Sequence, residues 1–497
     1  MTQRSVAVAT EYTDNLLVAT LLGAGRRTPH KVAVRHVGGD MTYAHLDELS
    51  ARMAHALVDV HSVTRGDRVV VQSRKVPEVL ALNVACARVG AIFTPLNVAY
   101  TEREVSDLLD DASPTLLVRD QAMHHATARV SLDELVRESS HFTSRFDDVA
   151  SDASTPAALL FTSGTTGRPK GAILSQGNLV FGCTTLNQVW EMSSEDVLVH
   201  VLPLFHVHGL FVAAYCVLSS GASMRLLEGF DVGEVLGILP ESTIMMGVPT
   251  HYTRLLDDER LSATTTTSMR LFISGSAPML RTTHEDFYSR TGHRLLERYG
   301  MTETGMITSN PLRGERRIGT VGPALPGVEV RVSGGSPGVV EVRGPNVFAE
   351  YWRRPELRQS EFTPDGFFIT GDLGILDDDG YLEIVGRTKD LIITGGLNVY
   401  PKELELILDT FPGVLESAVV GAPDADFGEA VSAFVVARPG ERVEVEDLRL
   451  RARAEMASFK VPKHFLVVPS LPRNAMGKVQ KTELRRALVE RLTRSSP

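Results

Sequence analysis

The sequence predicts an α/β protein: a large N-terminal domain of α/β layers plus a β-rich subdomain, followed by a small α+β C-terminal domain. Three observations carry this. Between residues 30 and 135 short β-rich runs alternate with helical patterns, as strands layered against helices require. After residue 320 the texture changes to short strands punctuated by glycines. From Lys389 onward about 110 residues carry both helix and strand signals, enough for an independent small domain.

In order, residues 31–35, 67–72, 91–95 and 115–118 read as strands, with helices over 42–57 and 76–89. Residues 139–156 are polar and aperiodic and read as a surface connection into a strand at 157–161. The alternation resumes with strands at 197–202, 223–227, 243–246 and 271–274. The glycine-punctuated region holds strands at 328–332, 338–343, 366–370 and 382–386. The C-terminal unit reads as a helix over 401–409, strands near 415–421 and 430–437, a helix over 445–456 and a strand at 464–468. The domain division expected is 1–387 and 388–497.

A chain of 497 residues that is 43% hydrophobic and 23% charged is neither disordered nor fibrous. Its formal net charge of −10 leaves no overall electrostatic footprint for nucleic acid, so an anionic ligand must be met locally. No apolar run approaches the ~18 residues that span a bilayer. Glu11 and Asp14 stand where a signal peptide would want a basic region, and the final residues match no lipid anchor or peroxisomal address. The three cysteines, Cys86, Cys183 and Cys216, form no CxxC pair, which fits a reduced, cytoplasmic setting. The sequence assigns no oligomeric state.

The run Phe161-Thr162-Ser163-Gly164-Thr165-Thr166-Gly167-Arg168-Pro169-Lys170-Gly171 gathers hydroxyls, glycines and two cations behind a strand. Such a loop can wrap phosphates with backbone N–H groups and side-chain donors. It is not a Walker A loop, which would need glycine where Pro169 stands. Alone it is equally an ordinary surface loop. Four further segments weigh against that: Ser274-Gly275-Ser276-Ala277-Pro278, Glu297-Arg298-Tyr299-Gly300-Met301-Thr302-Glu303, Thr370-Gly371-Asp372 and Gly386-Arg387. In this order, and with Pro472-Arg473-Asn474-Ala475-Met476-Gly477-Lys478 near the end, the chain resembles the adenylate-forming superfamily of acyl-CoA synthetases, peptide-synthetase adenylation domains and luciferases.

The resemblance implies an AMP-forming acid–CoA ligase that uses ATP, Mg²⁺ and coenzyme A, with a small carboxylic acid as partner and no nucleic acid or membrane span. A carboxylate attacking the α-phosphate of ATP brings two anions together, so the site must neutralise charge and hold the reactants in line. By resemblance, Thr162, Ser163, Gly164, Thr165, Thr166, Gly167 and Lys170 cradle the phosphates, and Glu303 with Thr162 orients Mg²⁺. Gly275, Ser276, Ala277 and Tyr299 flank the adenine, in company with Glu297, Gly300, Met301 and Thr302. Asp372 accepts the ribose hydroxyls and Arg387 reaches the same sugar. Lys478 is the catalytic lysine of adenylation, on a mobile domain that turns about Lys389. After rotation Gly395 and Gly396 line a channel for pantetheine. Each also has a plain structural reading: a solvated loop carboxylate for Glu303, a turn residue for Asp372, a surface cation for Arg387, core packing for Tyr299 and a β-turn for the glycine pair.

Within the superfamily the chain is most similar to the malonyl-CoA synthetase branch. Arg298 is placed by the motif beside the acyl pocket, where a guanidinium can pair bidentately with a second carboxylate. His206 and His208 add polar groups on the facing wall, His206 counting also among the catalytic residues. Ser274 can donate to the same distal carboxylate, and Val207 and Met306 contact the α-carbon of the diacid. The alternative is that Arg298 pairs with Glu297 or Glu303 and the pocket is merely short. Val207 and Ile307 are more apolar than close malonate enzymes lead one to expect, which leaves methylmalonate or a short- to medium-chain monocarboxylate open. A free-standing adenylation protein or a nucleotide-binding regulator without turnover are the readings from other classes.

Overall fold

The computed structural model describes residues 14–162, 169–395, 397–424, 427–474 and 477–495. Four sheets organise the chain. The first has eight strands, in the spatial order Gly305–Ser309, Leu296–Met301, Leu271–Ser274, Ile244–Gly247, Val197–His200, Ser223–Leu226, Val32–His36 and Gly39–Thr42. From Leu296–Met301 to Val32–His36 its strands run parallel, with an antiparallel strand added at each edge. The second has six strands and ends in the antiparallel hairpin Pro156–Thr162 and Lys170–Ser175. The third is a four-stranded antiparallel sheet over Glu329–Ser333, Gly338–Arg343, Phe368–Leu376 and Leu382–Arg387. The fourth, of five strands, lies wholly after residue 391.

The expected elements are present, with boundary shifts that have local causes. The strand expected at 366–370 starts at Phe368 and runs to Leu376, because Gly366 has φ +86° and makes the turn that precedes it. The helix expected over 42–57 is α-helical through His55 and loosens into a π turn over Ala56–Val60. Several helices were not individually anticipated, among them Glu102–Ala112 and Lys481–Ser495. The first had a readable start signal, since Thr101 and Glu104 form a reciprocal capping box.

Burial explains how the sheets divide. One apolar cluster joins both large sheets and the four-stranded sheet, with Leu80, Leu186, Trp190, Ile273, Val340 and Phe368 among its members. The five-stranded sheet has cores of its own. Val419, Val435 and Phe465 pack with Leu404 on one face, and the alternating residues Val420, Phe434 and Leu466 pack with Leu488 on the other. At ~2 kcal/mol for each large apolar side chain buried, these layers are a substantial source of stability within the five-stranded unit. Among the described residues, no helix is long and apolar enough to cross a membrane.

The architecture brings strand ends to one place. Val197–His200, Ile244–Gly247 and Leu271–Ser274 are parallel, so their C-terminal ends open on the same side, where an open α/β sheet binds its ligands.

Candidate active site

The hairpin of the six-stranded sheet pairs Thr162 with Lys170 and so defines the base of the loop expected to cradle phosphates. Ser163, Gly164, Thr165, Thr166, Gly167 and, further on, Gly396 lie outside the described residues. Thr162 Oγ1 stands 3.2 Å from Glu303 Oε1, and the Tyr351 hydroxyl donates to the same oxygen at 3.0 Å. Burial raises the pKa of Glu303, while the hydrogen bonds from Tyr351 and Thr162 favour its charged form. Lys170 differs from the expectation of a free phosphate cation. Its ammonium already pairs with Glu361 at 2.7 Å and lies 5.1 Å from the centre of the Tyr351 ring.

One buried carboxylate beside one hydroxyl fits a magnesium ion that takes most of its ligands from phosphates and water. Among the described residues no group of three or more His, Cys, Asp or Glu side chains could hold a metal alone. The donor set therefore suits a metal that arrives with a nucleotide.

The pair expected at the sugar is built by register. Asp372 lies directly across from Arg387 in the four-stranded sheet, and Arg387 Nε meets Asp372 Oδ1 at 2.7 Å. Tyr299 Oη donates to the other oxygen, Oδ2, which the sequence reading did not foresee. Burial disfavours the Arg387 charge more than any single neighbour favours it, but Asp372, Tyr299, Glu303 and Asp390 together outweigh it and the pKa of the guanidinium is raised. Gly300 lets the hairpin of Leu296–Met301 and Gly305–Ser309 close, since a Cβ there would come within 2.1 Å of the Gly305 carbonyl oxygen. Met301 and Thr302 are half-buried in this hairpin, and Ala277 is half-buried after the strand Leu271–Ser274.

Lys478 belongs to the smaller domain yet is brought to this cluster. Gly477, its neighbour, rests against the larger domain so closely that a Cβ would lie 3.0 Å from Thr250 Oγ1. Lys478 is exposed by surface area because the cleft is open to water, but protein surrounds its ammonium on most sides. That burial, together with repulsion from Arg387, lowers its pKa to about 8. Lys389 is similarly lowered by burial and by Arg387. Gly395 has φ +56°, donates its N–H to the Phe427 carbonyl at 2.8 Å and is covered by the Phe427 ring.

The residues expected at the acid form a buried polar cluster. Ser274, His208 and Arg298 are 0%, 3% and 3% exposed, and Ser274 Oγ, His208 Nε2 and Arg298 Nε and Nη2 have no hydrogen-bond partner among the described residues. Ser276 is held at φ +70° with its hydroxyl 3.3 Å from His208 Nδ1. Val207 and Met306 are buried. Burial lowers the pKa of Arg298 to about 10, which still leaves it a cation at neutral pH, and lowers that of His206 to about 4. His208 is also held neutral, by burial and by the nearby Arg298 charge.

Neither carboxylate proposed as an alternative partner reaches Arg298. Glu303 is engaged by Thr162 and Tyr351, and Glu297 binds His284 Nε2 at 2.8 Å. Glu297 is consequently not brought to the nucleotide cluster with its neighbours. It lines a separate cavity of about 190 Å³ with His284, Asn310 and Arg316. Two residues near the cluster were missed altogether: His200, fully buried at the end of its strand, and Lys75, which donates to the His200 carbonyl at 2.8 Å.

Comparison with known proteins agrees with this geometry. The model of the AMP-binding enzyme family matches residues 23–352, and that of the AMP-binding enzyme C-terminal domain matches 403–478. A malonate–CoA ligase of Arabidopsis thaliana is 37% identical over 452 residues, covering 80% of this chain and 74% of the relative. A feruloyl-CoA synthase of an Amycolatopsis species is 34% identical over 477 residues, covering 93% and 96%. The crystal structure of ATP-bound MatB from Rhodopseudomonas palustris superposes with a TM-score of 0.92 at 45% identity, over 96% of this chain and 99% of that one.

Proposed function

Since the chain belongs to the AMP-binding enzyme family, we propose that it is an AMP-forming acid–CoA ligase whose acid is malonate. The observation that carries the choice of acid is Arg298, a buried cation with open donors beside the equally open Ser274 and His208. Burying a charge without a partner is costly, so such an arrangement is kept where a ligand supplies the counter-ion. An alkyl chain would leave these groups unsatisfied, whereas a second carboxylate satisfies them.

The chemistry follows from placement. One carboxylate of the acid sits on Arg298, Ser274 and His208, and the other attacks the α-phosphorus of ATP. The new C–O–P linkage forms as the bond to pyrophosphate breaks. Lys478 lies against this reaction as a point charge, with Asp372 and Arg387 holding the sugar and Tyr299 bracing Asp372. Magnesium bound with ATP neutralises phosphate charge, and Glu303 and Thr162 are the residues that would hold it. The coenzyme A thiol then attacks the acyl carbon and AMP leaves. We assign the division of labour to domains 1–387 and 388–497, turning about Lys389, a reading supported by the separate cores of the small domain. A cytoplasmic setting is supported by the three free, buried cysteines.

A methyl-branched diacid is the second reading, favoured by the buried apolar Val207. The test is pyrophosphate release with ATP, Mg²⁺ and coenzyme A across malonate, methylmalonate, succinate, acetate, butyrate and octanoate, with each thioester identified by mass. Malonate is expected to lead. Preference for a monocarboxylate would keep the ligase chemistry and overturn the assignment of Arg298.

A further inference from the structure

His200 ends the strand Val197–His200 and is completely buried. Its Nε2 lies 2.8 Å from the carbonyl oxygen of Gly209. A carbonyl only accepts, so the ring is the tautomer with its proton on Nε2. The backbone carbonyl of His200 in turn receives the ammonium of Lys75 at 2.8 Å, from the loop that follows Arg68–Gln72 in the other large sheet. Among the described residues Lys75 has no carboxylate partner.

The segment 203–209, which carries His206, Val207 and His208, folds tightly back on itself. The N–H groups of Gly209 and Leu210 both donate to the His206 carbonyl, at 3.1 and 3.0 Å. Gly209 is pressed so hard against the start of the turn that a Cβ would lie 2.0 Å from the Pro203 oxygen. Among the described residues the His200 ring is the one side chain that donates to the backbone of this turn. Among the described residues, the His208 ring bonds beyond the turn to Ser276 alone, and its Nε2 is left open beside Arg298.

We propose that His200, anchored by Lys75, is a positioning residue for the diacid: its ring fixes the 203–209 turn so that His208 and Val207 face Arg298. This rests on the malonate reading of the site and deepens it. The tie links the two large sheets to the acid pocket and leaves the nucleotide end untouched. Burial and the Lys75 charge hold the His200 pKa down to about 3, so the donor geometry persists across the working range of pH. Because misplacement by about 1 Å can cost ~10²-fold, loosening the turn acts on the acid first.

The test uses the full chain with His200→Leu, which removes the donor, His200→Gln, which keeps an N–H within reach, and Lys75→Met. His200→Leu is expected to raise the KM for malonate about tenfold or more with the KM for ATP within about twofold of the parent, and His200→Gln to restore most of the loss. Lys75→Met is expected to raise the malonate KM by a smaller factor, again without moving that of ATP. An unchanged malonate KM in His200→Leu, equal rises for both substrates, or a Gln variant as impaired as the Leu variant would overturn the proposal. Should His200→Leu not fold, Lys75→Met decides in the same way. A wild-type protein that ignores malonate sinks the choice of acid alone, and the same variants scored on the acid it prefers then test the positioning role by itself.

Discussion

Gly275 and Arg298 are in contact with no room for a side chain between them: a Cβ on Gly275 would lie 2.5 Å from Arg298 Cζ and Nη1 and 2.8 Å from Nε. The guanidinium is therefore seated against bare backbone, and the glycine of the motif fixes where it lies.

Gly275→Ala should push the guanidinium out of line. The malonate KM is expected to rise about tenfold, equivalent to ~1.4 kcal/mol, and by more than the KM for ATP. Steady-state kinetics with each substrate varied in turn check this, and an unchanged malonate KM would show that Arg298 can move without consequence.

Arg298→Met should lower kcat/KM for malonate at least ~10²-fold while sparing acetate or butyrate. Because the charge is buried without a carboxylate partner, the same variant should unfold at no lower temperature than the parent in ligand-free, weakly coordinating buffer. Equal loss on all acids would make Arg298 structural.

Lys478 is a cation below its pKa of about 8 and loses its charge above it. Pyrophosphate release should accordingly fall as pH rises through about 8, with the slope of one proton, while thioester formation from supplied malonyl-AMP keeps its rate through that range. Lys478→Ala should abolish the first reaction and remove that limb. If both half-reactions fell equally in the variant, the role assigned to Lys478 would be wrong.

Glu303→Gln keeps the shape and the hydrogen bonds to Thr162 and Tyr351 but removes the charge. The Mg²⁺ concentration for half-maximal pyrophosphate release should rise about tenfold or more, read by titration at fixed ATP. No change would remove Glu303 from the metal reading.

Asp409, in the small domain, is raised to about 7 by burial, although Ser417 donates to it at 2.7 Å. A folded-state pKa above the unfolded value near 3.8 means that the folded form binds more protons between the two, so stability falls as pH rises from about 4 to about 7. Asp409→Asn should be more stable than the parent at pH 8, by roughly 1–3 kcal/mol, and equal to it near pH 4. Urea unfolding at the two pH values tests the sign.

The parts of the site that could be read from the sequence are those where a short motif fixes its own geometry. Thr162 and Glu303 meet as expected, and so do Asp372 and Arg387, which a hairpin register places opposite each other. Glu297 reads as a companion of Tyr299 beside the adenine, whereas its carboxylate is engaged by His284, a pairing that no motif announces. The partner that Lys170 has in the fold, Glu361, is distant in sequence and carried no signal. Lys75 and His200 had no signal at all. They are separated by 125 positions, one at a strand end and the other in a loop beyond a strand of the other large sheet, and meet through a backbone carbonyl, which carries no side-chain identity to recognise.

The open donors on Arg298 also have a bearing on the bench. A desolvated guanidinium does not discriminate among small planar or tetrahedral oxyanions by name, only by fit. Acetate, bicarbonate and sulfate in the medium will all bid for its seat against the diacid. Apparent affinities measured in different buffers will then disagree without any change in the protein, and the salt in the cuvette becomes a reagent whose concentration must be fixed before two variants are compared.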